Sequence, residues 1–242
     1  MQFMVMHKMT AELESGAPPD PEVLAGVSKL IAEAVKDGVF VSGEGLKPSS
    51  QRTHIVYKDG KRTITDGPFA EAKELVGGFA LMKVRSKEEA IAWCDKFAAV
   101  LGEAELMMGP VVEPWDLGFG PKPENPPLRY LSMNKMDERA ENGAPPDPAV
   151  MEKMGALIGE ISAAGVLEST NGLASTKLGA RIRFAGGKHT VIDGPFAESK
   201  ELVAGFAILE LPSLAAAIEW GIRFGHIVKV NEVEVRQIPE WA

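Results

Sequence analysis

Three side chains of this sequence are candidates to move a proton because of the motifs or predicted elements on which they lie, namely Asp66, His7 and Glu44. Asp66 opens the turn Asp-Gly-Pro-Phe at residues 66–69, where a carboxylate at the mouth of a pocket would act as a general base. His7 lies on a predicted strand, and imidazole changes its charge near neutral pH. A surface histidine at the end of a strand is the alternative interpretation. We take these three residues as the candidate catalytic residues.

Asp66 also has a structural interpretation, which we favour over the catalytic one. The Asp side chain would accept amide hydrogen bonds at the start of a short helix, and Pro68 would fit the first turn of that helix. Each residue of the turn then has a role in the backbone. The same interpretation holds for Asp193, which occupies the equivalent position in a second copy of the motif.

Other polar side chains near these motifs are candidates to bind a ligand. Lys73 stands between two glutamates of the predicted short helix, where a solvated charged face is the simpler explanation. The second copy replaces Glu44 by Asn171, so a single working site would belong to the first copy, although drift of an exposed loop explains the same change. The candidate ligand-binding residues are Ser49, Ser50, Arg62, Lys73 and Asp193.

Metal ions and cofactors are not indicated by the sequence. The four histidines do not recur between the two copies, and none of them has metal-site spacing such as i, i+4 on a helix. The single cysteine, Cys94, lies in an apolar helical pattern that is typical of a buried thiol. No glycine-rich phosphate loop is present, because Gly77-Gly78 lacks the required spacing. We predict neither a metal nor a cofactor.

The composition restricts the classes of partner. A net charge of −8 argues against non-specific binding to nucleic acid, which requires a basic surface. No apolar run reaches the roughly 20 residues that cross a bilayer, and the N-terminus does not resemble a signal peptide. We therefore expect a cytoplasmic protein with no nucleic-acid or membrane partner.

A long internal repeat determines the expected domain organisation. Residues 66–80 return as residues 193–207 with two differences, and 193 − 66 gives an offset of 127 residues. The same offset aligns the chain without a gap from Phe3 and Tyr130 onwards. The sequence predicts two repeats, and they are joined by a proline-rich linker. Their bounds are 1–113 for the first repeat, 114–127 for the linker and 128–242 for the second repeat.

Each repeat has the predicted order strand, helix, strand, hairpin, short helix, strand, helix, strand. This order is that of a ferredoxin-like α+β unit, in which both long helices cover one face of an antiparallel sheet. The second copy could cover the other face. We therefore expect two tandem ferredoxin-like units that form a dimeric α+β barrel-like pseudo-dimer within one chain, and further homo-oligomerisation stays open.

The motifs resemble those of a known family. Residues 43–50, Gly-Glu-Gly-Leu-Lys-Pro-Ser-Ser, followed by a hairpin and by residues 66–71, Asp-Gly-Pro-Phe-Ala-Glu, are similar to the YCII-related proteins and to their DGPF-motif branch. The resemblance implies dimeric α+β barrels. A His/Asp pair has been proposed as catalytic in some members, with the histidine near the first helix. Neither 23–36 nor 150–163 contains a histidine, so that pair is not carried over.

Two functions of different classes remain open at this point. The first is a YCII-related protein that binds a small organic molecule in the barrel and carries out acid–base chemistry there. The alternative is a non-catalytic regulatory or protein-interaction module, because DGPF relatives also resemble companions of alternative sigma factors. Whether the chain is an enzyme is not decided by the sequence.

Overall fold

The computed structural model describes residues 1–69, 75–199 and 202–240, which form an α+β structure with two six-stranded antiparallel sheets. The strands are β1 Gln2–Lys8, β2 Phe40–Gly45, β3 Thr53–Lys58, β4 Lys61–Asp66, β5 Val76–Val84, β6 Ala104–Pro110, β7 Leu128–Lys135, β8 Leu167–Gly172, β9 Gly179–Ala185, β10 Lys188–Asp193, β11 Val203–Glu210 and β12 Glu232–Ile238. The helices are α1 Ala11–Glu14, α2 Pro21–Lys36, α3 Lys87–Leu101, α4 Glu138–Glu141, α5 Pro148–Ala163 and α6 Leu214–Val228.

The helices α2 and α5 each begin at an Asp-Pro pair, which is a helix-start signal in the sequence. Asp20 caps α2, and its side chain accepts a hydrogen bond from the backbone N–H of Glu22 at 2.8 Å. Asp147 caps α5 in the same way, and a proline occupies the first helical position in both helices. A free carboxylate and a missing N–H both suit a helix start, because the first amides have no partner within the helix. The two repeats therefore begin their first long helix with the same capping residues.

The two sheets have the same arrangement of equivalent strands. The first sheet has the order β10-β9-β12-β1-β11-β2, and the second has the order β4-β3-β6-β7-β5-β8. Each strand of the first sheet is related by the 127-residue offset to the strand in the same place of the second sheet. The symmetry of the sequence is thus kept in the order of the strands.

The strands of each repeat are divided between the two sheets. β1 and β2 of the first repeat lie beside β11 and β12 of the second, whereas β7 and β8 lie beside β5 and β6. This differs from the expectation that each repeat forms a ferredoxin-like sheet of its own. The physical reason is that strands pair through backbone N–H and C=O groups, which equivalent strands of the two repeats present alike. Either repeat can therefore supply the central strand of a sheet.

The described chain therefore has two compact units, and each contains segments of both repeats. Of the described residues, unit 1 contains 1–48, 173–199 and 202–240, and unit 2 contains 49–69 and 75–172. The linker expected at 114–127 belongs to unit 2, where it begins with a 3-10 turn at Pro114–Leu117. Among the described residues, no helix is both long and apolar enough to cross a membrane.

In each unit the helices cover one face of the sheet. Ile55 and Leu106 pack with Ala90 and Cys94 of α3 in unit 2, and Phe3 and Val5 pack with α6 in unit 1. Successive side chains of a strand point to opposite faces. The side chains next to these apolar residues, such as His54 beside Ile55, therefore lie on the face that is opposite the helices.

Candidate functional site

Unit 2 carries a group of three half-exposed charged residues on the sheet face opposite its helices. The group consists of His54 on β3, Glu105 on β6 and Lys135 on β7, and we call it the charged triad. The Nε2 atom of His54 lies 3.0 Å from Oε1 of Glu105, and Nζ of Lys135 lies 3.3 Å from Oε2 of the same carboxylate. Their side chains are 30%, 35% and 31% exposed. Glu105 thus links two potential cations that solvent can reach.

Three adjacent strands bring the triad together. The order β3-β6-β7 places His54 opposite Met107, and Met107 opposite Met133. Glu105 lies two residues before Met107 on β6, and Lys135 lies two residues after Met133 on β7. Side chains two residues apart on a strand point to the same face, so all three side chains of the triad share one face. A second contact fixes the imidazole, because the ring of Phe69 lies edge-on to it at 6.3 Å. The Asp-Gly-Pro-Phe turn therefore forms one wall of the triad.

The contact with Glu105 determines the tautomer of His54. An ionised carboxylate only accepts hydrogen bonds, so Nε2 of His54 must carry the proton that is donated to Glu105. A neutral imidazole then has Nδ1 as an acceptor. A carboxylate that orients a histidine in this way is the usual arrangement for a general base.

Unit 1 has a closed ion network at the equivalent place. Arg181, Glu232 and Lys8 occupy the positions of His54, Glu105 and Lys135, and Glu234 and Arg236 add two further charges. All five residues are buried, with exposures between 0% and 8%. The pairs are Arg181–Glu234 at 3.1 Å, Arg181–Glu232 at 3.2 Å, Arg236–Glu234 at 3.1 Å and Lys8–Glu234 at 3.8 Å.

Glu234 is the centre of this buried network. Burial would raise the pKa of its carboxyl, but the charges of Lys8, Arg236 and Arg181 outweigh burial and hold the pKa below the usual range. A carboxylate that three cations keep ionised is a poor proton acceptor. In unit 2 its place is taken by Met107, so the second unit lacks this central carboxylate. The buried network of unit 1 is suited to a structural role, and the solvent-accessible triad of unit 2 is suited to binding a ligand.

Both units bury an arginine beside this face, but from different strands. Arg236 of β12 pairs with Gly179 of β9, and a Cβ atom on Gly179 would lie 3.0 Å from Cδ of Arg236. In unit 2 the two residue types are exchanged, because Arg52 stands in the place of Gly179 and Gly109 in the place of Arg236. A Cβ on Gly109 would lie 2.7 Å from Cγ of Arg52. The reciprocal exchange keeps one buried guanidinium in each unit.

Asp66 lies in unit 2, at the end of β4, and its partners differ from those of the predicted helix cap. Its Oδ1 accepts hydrogen bonds from the hydroxyl of Thr53 at 2.8 Å and from Nζ of Lys87 at 2.5 Å. The bond from Lys87, followed by that from Thr53, lowers the pKa of Asp66. In the second copy, residues 194–199 form no helix. The short helix predicted after the turn is therefore absent from that described segment.

Ser49 holds the Asp-Gly-Pro-Phe turn from inside unit 2. Its buried hydroxyl accepts a hydrogen bond from the backbone N–H of Phe69 at 3.0 Å. Thr176 does the same for Phe196 at 3.2 Å, so a hydroxyl holds the turn in both copies. Aligning Ser49 with Thr176 would have revealed this from the sequence. Ser50 is exposed in the same 3-10 turn.

His7 and Glu44 both lie in unit 1, but on opposite faces of its sheet. The ring of His7 lies 5.4 Å from that of Phe224 on α6, on the helix side. Glu44 pairs with Phe206, which pairs with Met6, and it therefore shares the face of the buried ion network. The structure thus does not bring His7, Glu44 and Asp66 together within either unit, and their catalytic role stays a prediction.

The remaining predicted ligand-binding residues lie apart from one another. Arg62 of β4 donates to Asp95 of α3 at 2.6 Å. That pair lines a shallow cavity of about 200 Å³ together with Tyr57. Asp193 is exposed at the end of β10 in unit 1. Lys73 lies outside the described residues.

Sequence reasoning missed the charged triad. His54 and Lys135 belong to different repeats, and His54 was set aside because its counterpart is Arg181. The usable signal was charge, because positions 54 and 181 both carry a basic side chain, as do positions 8 and 135. Among the described residues, no group of three or more His, Cys, Asp and Glu side chains is placed to hold a metal ion.

Comparison with known proteins places the chain in a family. The model of the YCII-related domain matches residues 1–105 and 128–242. An uncharacterized protein of Rhizobium meliloti (strain 1021) is 35% identical over 74 residues, which are 31% of this chain and 60% of that protein. No solved structure matches the chain. Because the family model matches most of the chain in two successive segments, the chain belongs to the YCII-related family, as a tandem duplication of its domain.

Proposed function

We propose that the protein binds a small organic anion at the charged triad of unit 2, with His54 as the residue that transfers a proton. One observation carries the proposal. The triad is half-exposed, whereas the equivalent residues of unit 1 are buried in a network of ion pairs. The buried ion network of unit 1 shows that this fold can bury charged side chains at this place. A charged group that stays accessible to solvent in unit 2 is therefore best explained by a ligand that binds there.

Each residue of the site has a defined role in this proposal. Lys135 and the buried guanidinium of Arg52 supply the positive field that attracts a carboxylate or a phenolate. Glu105 holds His54 in the tautomer whose Nδ1 accepts a proton. A proton taken from an acidic C–H or O–H group of the ligand would pass to Nδ1, and the cations would stabilise the anion that is left.

Unit 1 serves as the scaffold in this proposal. Arg181 replaces the histidine, and a guanidinium stays protonated at all physiological pH values, so it cannot act as a base. The triad contains two residues of the first repeat and one of the second, so in this proposal the site draws mainly on the first repeat.

Further expectations from the family belong to the same proposal. We infer that the chain is a member of the DGPF-motif branch, because Asp-Gly-Pro-Phe occurs in both repeats, at residues 66–69 and 193–196. The barrel-like pairing of two ferredoxin-like units stays a prediction. A regulatory or protein-interaction role stays the alternative, and no contact of the described residues favours it over ligand binding.

Thermal shift measurements with small organic acids test the proposal. Benzoate, salicylate and pyruvate are suitable probes, because they combine a carboxylate with a ring, a phenol or an acidic C–H group. A ligand that binds only the folded state raises the melting temperature according to its concentration over its dissociation constant. We expect at least one probe to do so, and Lys135→Met to remove the effect.

Arg183→Gln is the matched control. Arg183 is an exposed cation of unit 1 that contacts Glu232, the equivalent of Glu105, as Lys135 contacts Glu105 in unit 2. This variant should respond to the probes like the wild type. His54→Gln should keep most of the binding while losing proton transfer, for example deuterium exchange at the methyl group of pyruvate. The proposal is wrong if no anion stabilises the wild type, or if Lys135→Met responds as Arg183→Gln does.

A further inference from the structure

Two histidines of unit 1 that are far apart in the sequence meet at its surface. His189 lies on β10 and His226 on α6, and Nδ1 of the first is 3.3 Å from Nε2 of the second. Both side chains are exposed. In unit 2 the equivalent residues are Arg62 and Ala99, so the pair exists in one unit only.

The surrounding structure holds the pair in place. Phe184 on β9 is the register partner of His189, and its ring packs edge-on against His226 at 5.1 Å. Gly225, the neighbour of His226, allows this packing, because a Cβ atom there would lie 2.2 Å from the ring of Phe184. A glycine inside a helix costs about 1 kcal/mol of helix propensity relative to alanine. The close approach of α6 to the hairpin is therefore a feature of this unit.

We propose that His189 and His226 form a binding site for a divalent transition metal such as Ni²⁺, Cu²⁺ or Zn²⁺. Two imidazole nitrogens that each bind a tetrahedral metal at about 2.0–2.1 Å lie about 3.3–3.4 Å apart. The observed separation of 3.3 Å equals this distance. Rotation of the exposed rings converts the present contact between the nitrogens into shared ligation of one ion.

The chemistry of the pair selects borderline metals over hard ones. Imidazole suits zinc, copper and nickel, whereas magnesium and calcium require oxygen ligands. Two cations near His226 are engaged elsewhere, because Arg223 of α6 binds Glu33 and Lys229, just after α6, lies 3.6 Å from Asp20. No third His, Cys, Asp or Glu of the described chain joins the pair, so water completes the coordination. The metal would then link the hairpin β9–β10 to α6.

Calorimetric titration of the whole chain with NiCl₂ tests this site. We expect one Ni²⁺ per chain, at a dissociation constant in the micromolar range, and no heat of binding with MgCl₂. His189→Gln and His226→Gln should each weaken the binding of Ni²⁺ by about tenfold or more, because a single imidazole loses the chelate. Lys188→Gln is the control, since it changes an exposed neighbour of His189 without removing an imidazole, and it should bind Ni²⁺ like the wild type.

A second measurement needs no variant. Paramagnetic Co²⁺ should broaden the ring resonances of Phe184 before those of Tyr57, its counterpart in unit 2. Equal affinity for Ni²⁺ in the wild type and in both pair variants would overturn the proposal. So would broadening that begins at Tyr57, or the absence of stoichiometric binding below millimolar concentration.

Discussion

At the scale of single residues, Asp66 shows how a motif can be located correctly and explained incompletely. The sequence predicts that its carboxylate accepts backbone amides at the start of a short helix. The partners are different, however, because Asp66 accepts from Thr53 and Lys87. Asp193 has Ala180 and Leu214 at those two positions, and neither side chain can donate a hydrogen bond. Identical motif residues therefore have different energetic roles in the two copies.

This difference leads to a prediction about pH. The pKa of Asp66 is lowered in the folded state, so its contribution to stability is complete above the unfolded value near 3.9 and is lost as the pH falls through the folded pKa. Asp66→Asn should melt below the wild type at neutral pH, and the gap should narrow at about pH 3. The effect should stay below about 1 kcal/mol, because the side chain is 62% exposed.

Asp193→Asn is the matched control for this measurement, because it changes the same residue of the same motif without the two donors. Its melting temperature should stay close to that of the wild type at both pH values. A gap at Asp66 that is unchanged or wider in acid would contradict the assignment of Thr53 and Lys87 as the partners that matter.

At the scale of elements, the glycine of the Asp-Gly-Pro-Phe turn has a packing role that the sequence did not show. In the structure a Cβ atom at Gly67 would lie 1.9 Å from the carbonyl oxygen of Ser49, and one at Gly194 would lie 1.7 Å from that of Thr176. The turn is thus pressed against the 3-10 turn that precedes β3 or β9. Only glycine fits between two backbones at this distance.

Substitution of these glycines should be costly. Gly67→Ala and Gly194→Ala should each destabilise the protein by about 1–3 kcal/mol, because a backbone carbonyl cannot move away as a flexible side chain would. Gly155 of α5 is the control, since it is helical and has open space around its Cα. Gly155→Ala should stabilise by up to about 1 kcal/mol. Urea unfolding of the three variants measures all these changes, and neutral turn variants would disprove the close approach.

Elements were easier to predict than their pairing. The caps at Asp20 and Asp147 and the hairpin at Asp59-Gly60 have local signals, and the structure has α2, α5 and the turn between β3 and β4 there. No local signal tells which strands pair with β1, because β1 of the first repeat and β7 of the second repeat occupy equivalent positions. The charged triad depends on that choice, since Lys135 lies on β7. Sequence reasoning could therefore identify the strands but not the site that they build.

At the scale of the whole molecule, each compact unit contains strands of both repeats, so the unit that folds is not the repeat. The described residues of unit 2, 49–69 and 75–172, follow one another along the chain. Unit 1 is built from the two ends of the chain, and its sheet has the same order of equivalent strands. The two units are thus circular permutants of each other. The repeat in the sequence and the unit in the structure are different divisions of the same chain.

This permutation predicts which fragment folds. A fragment of residues 49–172 contains all six strands of the second sheet together with α3 and α5, so we expect a monomer that unfolds cooperatively. A fragment of residues 1–113 contains β3 to β6 but lacks β7, which lies between β6 and β5 in that sheet. Without its central strand the sheet loses the pairing that holds its two halves together. We expect no cooperative transition for the monomer of this fragment.

Two copies of residues 1–113 could replace the missing strands, because β1 and β2 of one copy are equivalent to β7 and β8. Any folding of this fragment should therefore require a dimer, with a melting temperature that rises with protein concentration. Circular dichroism melts at several concentrations, together with sedimentation, distinguish the cases. A folded monomer of residues 1–113 next to an unfolded fragment 49–172 would show that each repeat forms its own sheet. In that case β1 would pair with strands of its own repeat, and Lys135 would lie apart from His54 and Glu105.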